Sequence, residues 1–478
     1  MVGRYLIQNA TVVSLDPALG IVSHCDVLIE HATITAVGPN LRHDLTATDD
    51  DLTIIDATDA IVSPGFVDTH RHTWQTQLRT VTSDYVLLDY IANIRNIYGS
   101  CYTPRDAYLG NYCGALESID NGITYLVDHS HIVNSPDHAD AAVRGLQDSR
   151  IRAVFCYGLY ENPAWEGSST KKEQEGARDP RWRWDDARRI KETYFESNRP
   201  TDLTRFGFAP AELEQGTLAE AVEQVEFGRS LGAAVVTGHV GMGRYDRGAH
   251  IVRNFEQRQL LGPDLLFSHG ATLHDDELDA LRRSGASLSS TPDTELQMGM
   301  GHPVAFKACQ RGCVASIGID IVSNNPADMF QQMRLLLQAQ RHQDSEDSAA
   351  VLPPRVSQRC EQVLEMATMG GAKAVGLQHV IGSVSPGKRA DLLITRCDST
   401  RMTPVHDPVA ALVLYANASD IDTVFIDGEL VKHKGRLMGV DWPAVRQELR
   451  ASAAGIMERS KQAPSKEIKT AVATAFGA

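Results

Sequence analysis

The stretch Pro64-Gly65-Phe66-Val67-Asp68-Thr69-His70-Arg71-His72 decides how the rest of this chain is read. It carries the end of an apolar run, Ile61 to Val67, into two histidines one residue apart. Side chains of a strand alternate with period two, so His70 and His72 leave the same side of it. Two parallel imidazoles at a strand end suit one metal ion, with nitrogens about 2.0–2.1 Å from it. A lone His-x-His is more often two unrelated histidines on a polar strand end. What decides is whether other strand ends bring further ligands.

Outward from this stretch, apolar runs recur at 61–69, 123–129, 152–159, 205–210, 234–239, 265–269, 287–291 and 314–320. Helical patterns separate them, for example at 217–231, 275–284 and 327–340. Eight strands alternating with helices, over a span near the usual ~250 residues, predict a (β/α)8 TIM barrel. A doubly wound open sheet would show a glycine-rich phosphate loop after an early strand. No GxGxxG or GxxxxGK[ST] occurs.

The two ends have another texture. Residues 1–60 hold short β-branched runs bounded by turn formers such as Asp16-Pro17 and Gly38-Pro39-Asn40, and similar runs return at 390–395 and 424–431. The pattern predicts a small β-sandwich-like domain built from both chain ends, 1–60 and 381–437. The barrel, 61–380, is inserted between them, and 438–478 forms a helical tail without a motif. The connection at 161–200, rich in charge, Trp and Arg, is either a cover over the active-site mouth or a surface excursion.

At 478 residues, one large barrel with an accessory domain accounts for the length. Hydrophobic content of 42% leaves ample core for it. A formal charge of −15 argues against a nucleic-acid partner, which needs a basic face, and against anionic membrane surfaces. The eight cysteines form no CxxC pair, as expected of free thiols in a reducing compartment. The N-terminus shows no signal-peptide pattern and no apolar run is long enough to span a membrane, so a cytoplasmic protein is expected.

Functional groups of a barrel gather at the carboxyl ends of its strands. Those ends carry His70 and His72, then His129 and His131, then His239, His269 and finally Asp320. Each alone is explicable as a loop residue. Histidines after strands one, five and six and an aspartate after strand eight, all converging on one mouth, point to a shared site.

With these residues in view, the chain resembles the amidohydrolase superfamily, especially its aminohydrolase branch of adenosine-type and guanine deaminases and triazine hydrolases. The opening stretch carries the likeness together with Arg79, Ser268-His269-Gly270-Ala271-Thr272-Leu273, and Gly318-Ile319-Asp320 with Ser323-Asn324-Asn325. Asp328-Met329-Phe330-Gln331-Gln332-Met333-Arg334 and the closing segment 382–393 extend it to about residue 437. The resemblance implies that His70, His72, His239 and Asp320 bind one divalent metal, zinc first, with iron, manganese and nickel also suited to the ligand types. A second metal in the superfamily is usually bridged by a carboxylated lysine on strand four, and residues 205–210 contain none. A mononuclear site is expected, and the resemblance favours a homodimer.

The expected chemistry follows from charge. A divalent metal lowers the pKa of a bound water toward about 7, Asp320 takes a proton from it, and His269 stabilises developing charge or orients the water. Attack then falls on an electrophilic carbon of a small, cyclic or heteroaromatic compound, breaking a C–N or related bond. One position departs from the deaminating relatives: they carry a glutamate three residues after the strand-five histidine, and here that residue is Met242. General acid–base help is typically worth ~10²–10⁴-fold, so its loss leaves room for a decarboxylase-like lyase on the same site, or for a non-catalytic scaffold.

Further candidates flank the ligands. Trp74 and Gln75 are placed to wall a planar substrate, His129 and His131 to contact it, and Glu295 to present a carboxylate after strand seven. Core packing, oriented structural histidines and a helix cap are the respective plainer readings. Glu212 and Glu214, after strand four, and His274, past His269, are expected to be solvated.

Overall fold

Gly65 divides the apolar run that the sequence presents as one strand. Ala60–Pro64 pairs within the sheet of the chain ends, and Phe66–Arg71 opens the barrel. The backbone changes partners at this point: Gly65 N–H donates to the Asp391 carbonyl and Phe66 N–H to that of Gly122, both at 3.0 Å. The turn presses on the next barrel strand, where a Cβ at position 65 would stand 2.1 Å from Thr124 Oγ1. The expected boundary at residue 61 therefore cuts through a strand of the terminal sheet.

The structure, a computed structural model, describes residues 3–44, 52–174, 181–348, 352 and 355–477. Eight parallel strands form the barrel: Phe66–Arg71, Ile123–Ser130, Arg152–Gly158, Thr204–Ala209, Val236–Val240, Leu265–His269, Ser287–Ser290 and Val314–Ile317. They pair in chain order. The first and last meet where the His70 carbonyl accepts from Asp320 N–H and the Asp320 carbonyl from His72 N–H, both at 2.8 Å. Inside, Thr69 Oγ1 lies 2.7 Å from Ser289 Oγ and 2.8 Å from Ser316 Oγ, linking strands one, seven and eight.

Helices between the strands start where capping chemistry allows. Thr217 and Glu220 form a capping box on Leu218–Ser230, and Asp328 accepts from two backbone N–H groups at the start of Met329–Glu346. Phe155, Phe206, Phe208 and Phe267 from the strands share one buried cluster with Leu146, Ile190, Val225 and Phe255 from the helices. That cluster holds the barrel strands in place from outside.

The chain ends build a single nine-stranded sheet with its own core, including Val12, Val27, Val62, Leu392 and Phe425. Arg152, at the start of barrel strand three, fastens it: the guanidinium bonds both Asp391 oxygens, at 2.7 and 3.1 Å, and reaches Asp427. The tail is two helices, Trp442–Ser460 and Ser465–Phe476, folded against the barrel mouth. Ser452 there accepts from Gln77 and donates to Asp106, while Arg459 donates to the Cys101 carbonyl. In the 161–200 connection, Trp165 packs with Trp74, Tyr102 and Ile456, and residues 175–180 lie outside the described residues.

Because Thr124 is buried against Gly65, Gly65→Ala forces a shift of packed atoms and should cost ~1–3 kcal/mol. Denaturant midpoints of the two proteins measure this, and an unchanged midpoint would contradict the hinge assignment.

Candidate metal centre

Asp320 joins the histidines of strand one at the closure seam. Its Oδ1 lies 3.3 Å from His70 Nε2 and 3.5 Å from His72 Nε2. The His70 ring centroid stands 4.8 Å from that of His72 and 5.1 Å from that of His239. One nitrogen from each of His70, His72 and His239 falls within 4.8 Å of the others, as do one nitrogen each of His70 and His269 and a carboxylate oxygen of Asp320. All five side chains are buried.

The donor set fits a cation. Neither ring nitrogen of His70 has a hydrogen-bond partner in the protein, although the side chain is fully buried, and an orphaned buried polar group is costly without a ligand. Burial, ahead of the opposing pull of Asp320, takes the His70 imidazole down to about 4. Burial and then the neighbouring imidazole hold His72 well below its ordinary value. Both rings are thus neutral, the metal-binding form. For Asp320, burial is outweighed by the close His70 ring and the other adjacent imidazoles, which keep the carboxyl well below the usual carboxylate range. Three imidazoles and one carboxylate make a tetrahedral-type set for one divalent ion.

A supporting layer fixes which nitrogen each ring offers. His72 Nδ1 sits 2.8 Å from the His129 carbonyl, which only an N–H can bond, so Nε2 keeps the lone pair. His239 Nδ1 is 3.0 Å from Glu212 Oε2, leaving its Nε2 in the same state. The His131 ring stacks on His72 at 3.9 Å and is held by Trp74, whose indole N–H donates to His131 Nδ1 at 2.9 Å. His129 stacks on His239 at 4.5 Å and lies 3.0 Å from the Tyr160 hydroxyl. His269 Nδ1 is 3.0 Å from Thr291 Oγ1 and 3.6 Å from the buried carboxylate of Glu295. Both His269 and Asp320 adopt left-handed backbone, φ 76° and 66°, at a cost of ~1–3 kcal/mol each that packed surroundings must sustain.

A cavity of about 470 Å³ opens over this cluster, lined by His72, His131, His239, His269 and Asp320 together with Tyr90, Arg95, Tyr160 and Glu212. Trp74, Gln75, His129 and Glu295 stand one layer behind that lining. The tight turn Thr73–Leu78 buries Trp74 beneath His131, and Gln75 donates to the Tyr90 hydroxyl at 2.7 Å. Glu212 differs from its expected solvated role: it faces the cavity, and His239 and Arg95 hold its carboxyl below the ordinary value despite burial. Glu214 also differs. It accepts from Gly241 N–H at 2.6 Å, and burial pushes it up to about 8. His274 is exposed, as expected.

Several participants went unread in the sequence. Arg95 lies 4.7 Å over the Tyr160 ring and 3.7 Å from Glu212 Oε1; nothing near residue 95 signals this. Asp68 had a signal, being two residues before His70 in the opening stretch. It accepts from the backbone of Ile319 at 3.0 Å and of His70 at 3.3 Å, tying strand one to strand eight, and burial raises it to about 7.

A family model described as the amidohydrolase family matches residues 61–431. The chain belongs to the amidohydrolase family. This amidohydrolase is 28% identical over 457 residues to a 5'-deoxyadenosine deaminase of Methanosarcina mazei, covering 95% of this chain and 98% of that one. It is 26% identical over 456 residues to a 5-methylthioadenosine/S-adenosylhomocysteine deaminase of Desulforudis audaxviator, 95% and 99% covered. In fold it is similar to a zinc-bound adenosine deaminase from Xanthomonas campestris, with TM-score 0.81, 22% identity and coverage of 95% and 98%. An atrazine chlorohydrolase from Arthrobacter aurescens complexed with zinc gives 0.78 and 19%, with 94% and 100% covered.

The protein is accordingly an amidohydrolase-type hydrolase of carbon–nitrogen bonds in small non-peptide molecules, in a family that works with a divalent metal. The decarboxylase-like alternative finds no support among these relatives. Among the described residues no helix is long and apolar enough to cross a membrane. Asp320→Asn and His239→Ala should each lose bound metal and turnover together, read by elemental analysis and by activity on the same preparation. A fully active Asp320→Asn protein would contradict the ligand assignment.

Proposed function

We propose that the protein is a zinc-dependent hydrolytic deaminase of small, adenosine-like amino-heteroaromatic compounds. The observation that carries this reading is Glu212, a carboxylate on the cavity wall bonded to His239. It supplies from strand four's end the acid group that Met242 lacks after strand five. The deaminase names of relatives matching nearly the full chain, and zinc in similar folds, support the substrate class and the metal.

His70, His72, His239 and Asp320 would hold the ion, which when bound acidifies a water and polarises the carbon under attack. Asp320 uses one oxygen toward His70 and His72, and its other oxygen takes the proton of the attacking water. His269, anchored at Nδ1 by Thr291, donates from Nε2 to charge developing on the substrate. Glu212 carries the other water proton to the ring nitrogen, and Asp320 passes the proton it took to the leaving amine, which departs as ammonia. Arg95, 3.7 Å from Glu212 Oε1, keeps that carboxylate in place. His131 and Tyr160 flank the bound ring, with Trp74, Gln75, His129 and Glu295 positioning the residues that touch it.

Incubation with 5'-deoxyadenosine or adenosine in ¹⁸O-water should release ammonia and place one solvent oxygen on the ring. Product formed without solvent oxygen would sink the hydrolytic reading. Glu212→Gln should lower kcat by ~10²–10⁴-fold with metal supplied in excess, and Glu212→Asp should recover part of it; an unimpaired Glu212→Gln enzyme would assign the proton role elsewhere.

A further inference from the structure

The cavity wall includes a residue from the far end of the chain. Phe476, on the last helix Ser465–Phe476, lines the same cavity as His239 and Asp320. Ile468, Val472 and Phe476 follow at i, i+4 and i+8, which aligns them on one helix face. Val472 is buried, and Ile468 packs against the cluster that contains Met242, Met298 and Met300. The stripe runs down the helix and ends at the cavity.

Two contacts fix its end. The Phe476 ring meets Tyr245 edge-on at 6.1 Å, and Arg247 Nη1 donates to the Ala475 carbonyl at 2.9 Å. Tyr245 and Arg247 belong to the loop after strand five, a few residues beyond the metal ligand His239. The loop that carries Met242 is thus the one that seats the tail. The preceding helix is anchored in turn, with Arg459 donating to the Cys101 carbonyl at 2.6 Å and to Asp106 at 2.5 Å.

The chemistry of this wall is uniform. Met242, Tyr245, Met298, Met300 and Phe476 all line the cavity and carry no charge, whereas Arg95 and Glu212 sit beside the ligand His239. Thioether and aromatic surfaces adapt to flat or apolar groups and bind charge poorly.

We propose that the C-terminal helix is a wall of the substrate cavity and that Phe476 is a specificity-determining residue, selecting substrates whose substituent remote from the reacting ring is apolar and uncharged. This rests on the reading of the cavity as the deaminase substrate site. Met242 then has a positive role: in place of a carboxylate it extends the apolar wall toward the metal centre.

The test compares two substrates of the full-length, metal-loaded enzyme, adenine and 5'-deoxyadenosine, in the parent, Phe476→Ala, Phe476→Leu and Phe476→Lys proteins. Phe476→Ala should raise KM for 5'-deoxyadenosine by ~10–100-fold, with kcat and the constants for adenine little changed. Phe476→Leu should recover much of the loss, and Phe476→Lys should be the poorest of the three on 5'-deoxyadenosine. Equal changes for both substrates, or none for either, would overturn the assignment. If the parent releases ammonia from neither compound, the deaminase reading fails by itself. Calorimetric binding of the same pair then decides the wall: selective weakening of 5'-deoxyadenosine in Phe476→Ala supports it, and unchanged or undetectable binding overturns it.

Discussion

Two backbone hydrogen bonds, His70 carbonyl to Asp320 N–H and Asp320 carbonyl to His72 N–H, close the barrel at its candidate metal site. The residues that complete the sheet are the residues that bring ligands together. This coupling explains why Asp320 can hold a left-handed backbone: a bond on either side of it is part of the closure, and Asp68 ties Ile319 to the same strand. An ion held by this donor set would stabilise barrel closure and be stabilised by it, since neither strand end alone presents the full set.

Around that seam the chemistry is layered. Burial lowers the His70 and His72 imidazoles, and each of the outer histidines, His129 and His131, stacks on a candidate ligand and is pinned by Tyr160 or Trp74. Trp74 and the Gln75 amide, behind the cavity lining, orient the residues in front of them, in the way outer-shell partners commonly orient metal ligands. The rest of the cavity lining comes from farther away, from Arg95, Glu212, the loop after strand five and the last helix.

The parts legible in the sequence share a physical cause. Barrel strands buried on both faces are continuous apolar runs, so their number, order and ends could be read closely; period two then placed His70 with His72 and His129 with His131. What could not be read is depth and destination. Nothing local distinguishes Trp74, folded under His131, from a residue that faces substrate. Glu212 resembles any glutamate in a polar turn until His239 is brought beside it. The break at Gly65 depends on Thr124, a neighbour 59 residues away that no run of Ile, Val and Phe can report. The stripe Ile468, Val472, Phe476 marks a helix face, but which surface receives it is decided by tertiary packing.

The central claim is that His70, His72, His239 and Asp320 bind a single divalent ion. Anomalous diffraction at the metal edge on crystals of the purified protein tests it most directly. The account predicts one peak, with three imidazole nitrogens and one carboxylate oxygen at about 2.0–2.2 Å. Two peaks at this mouth, or one peak without Asp320 and His239 in contact, would contradict it.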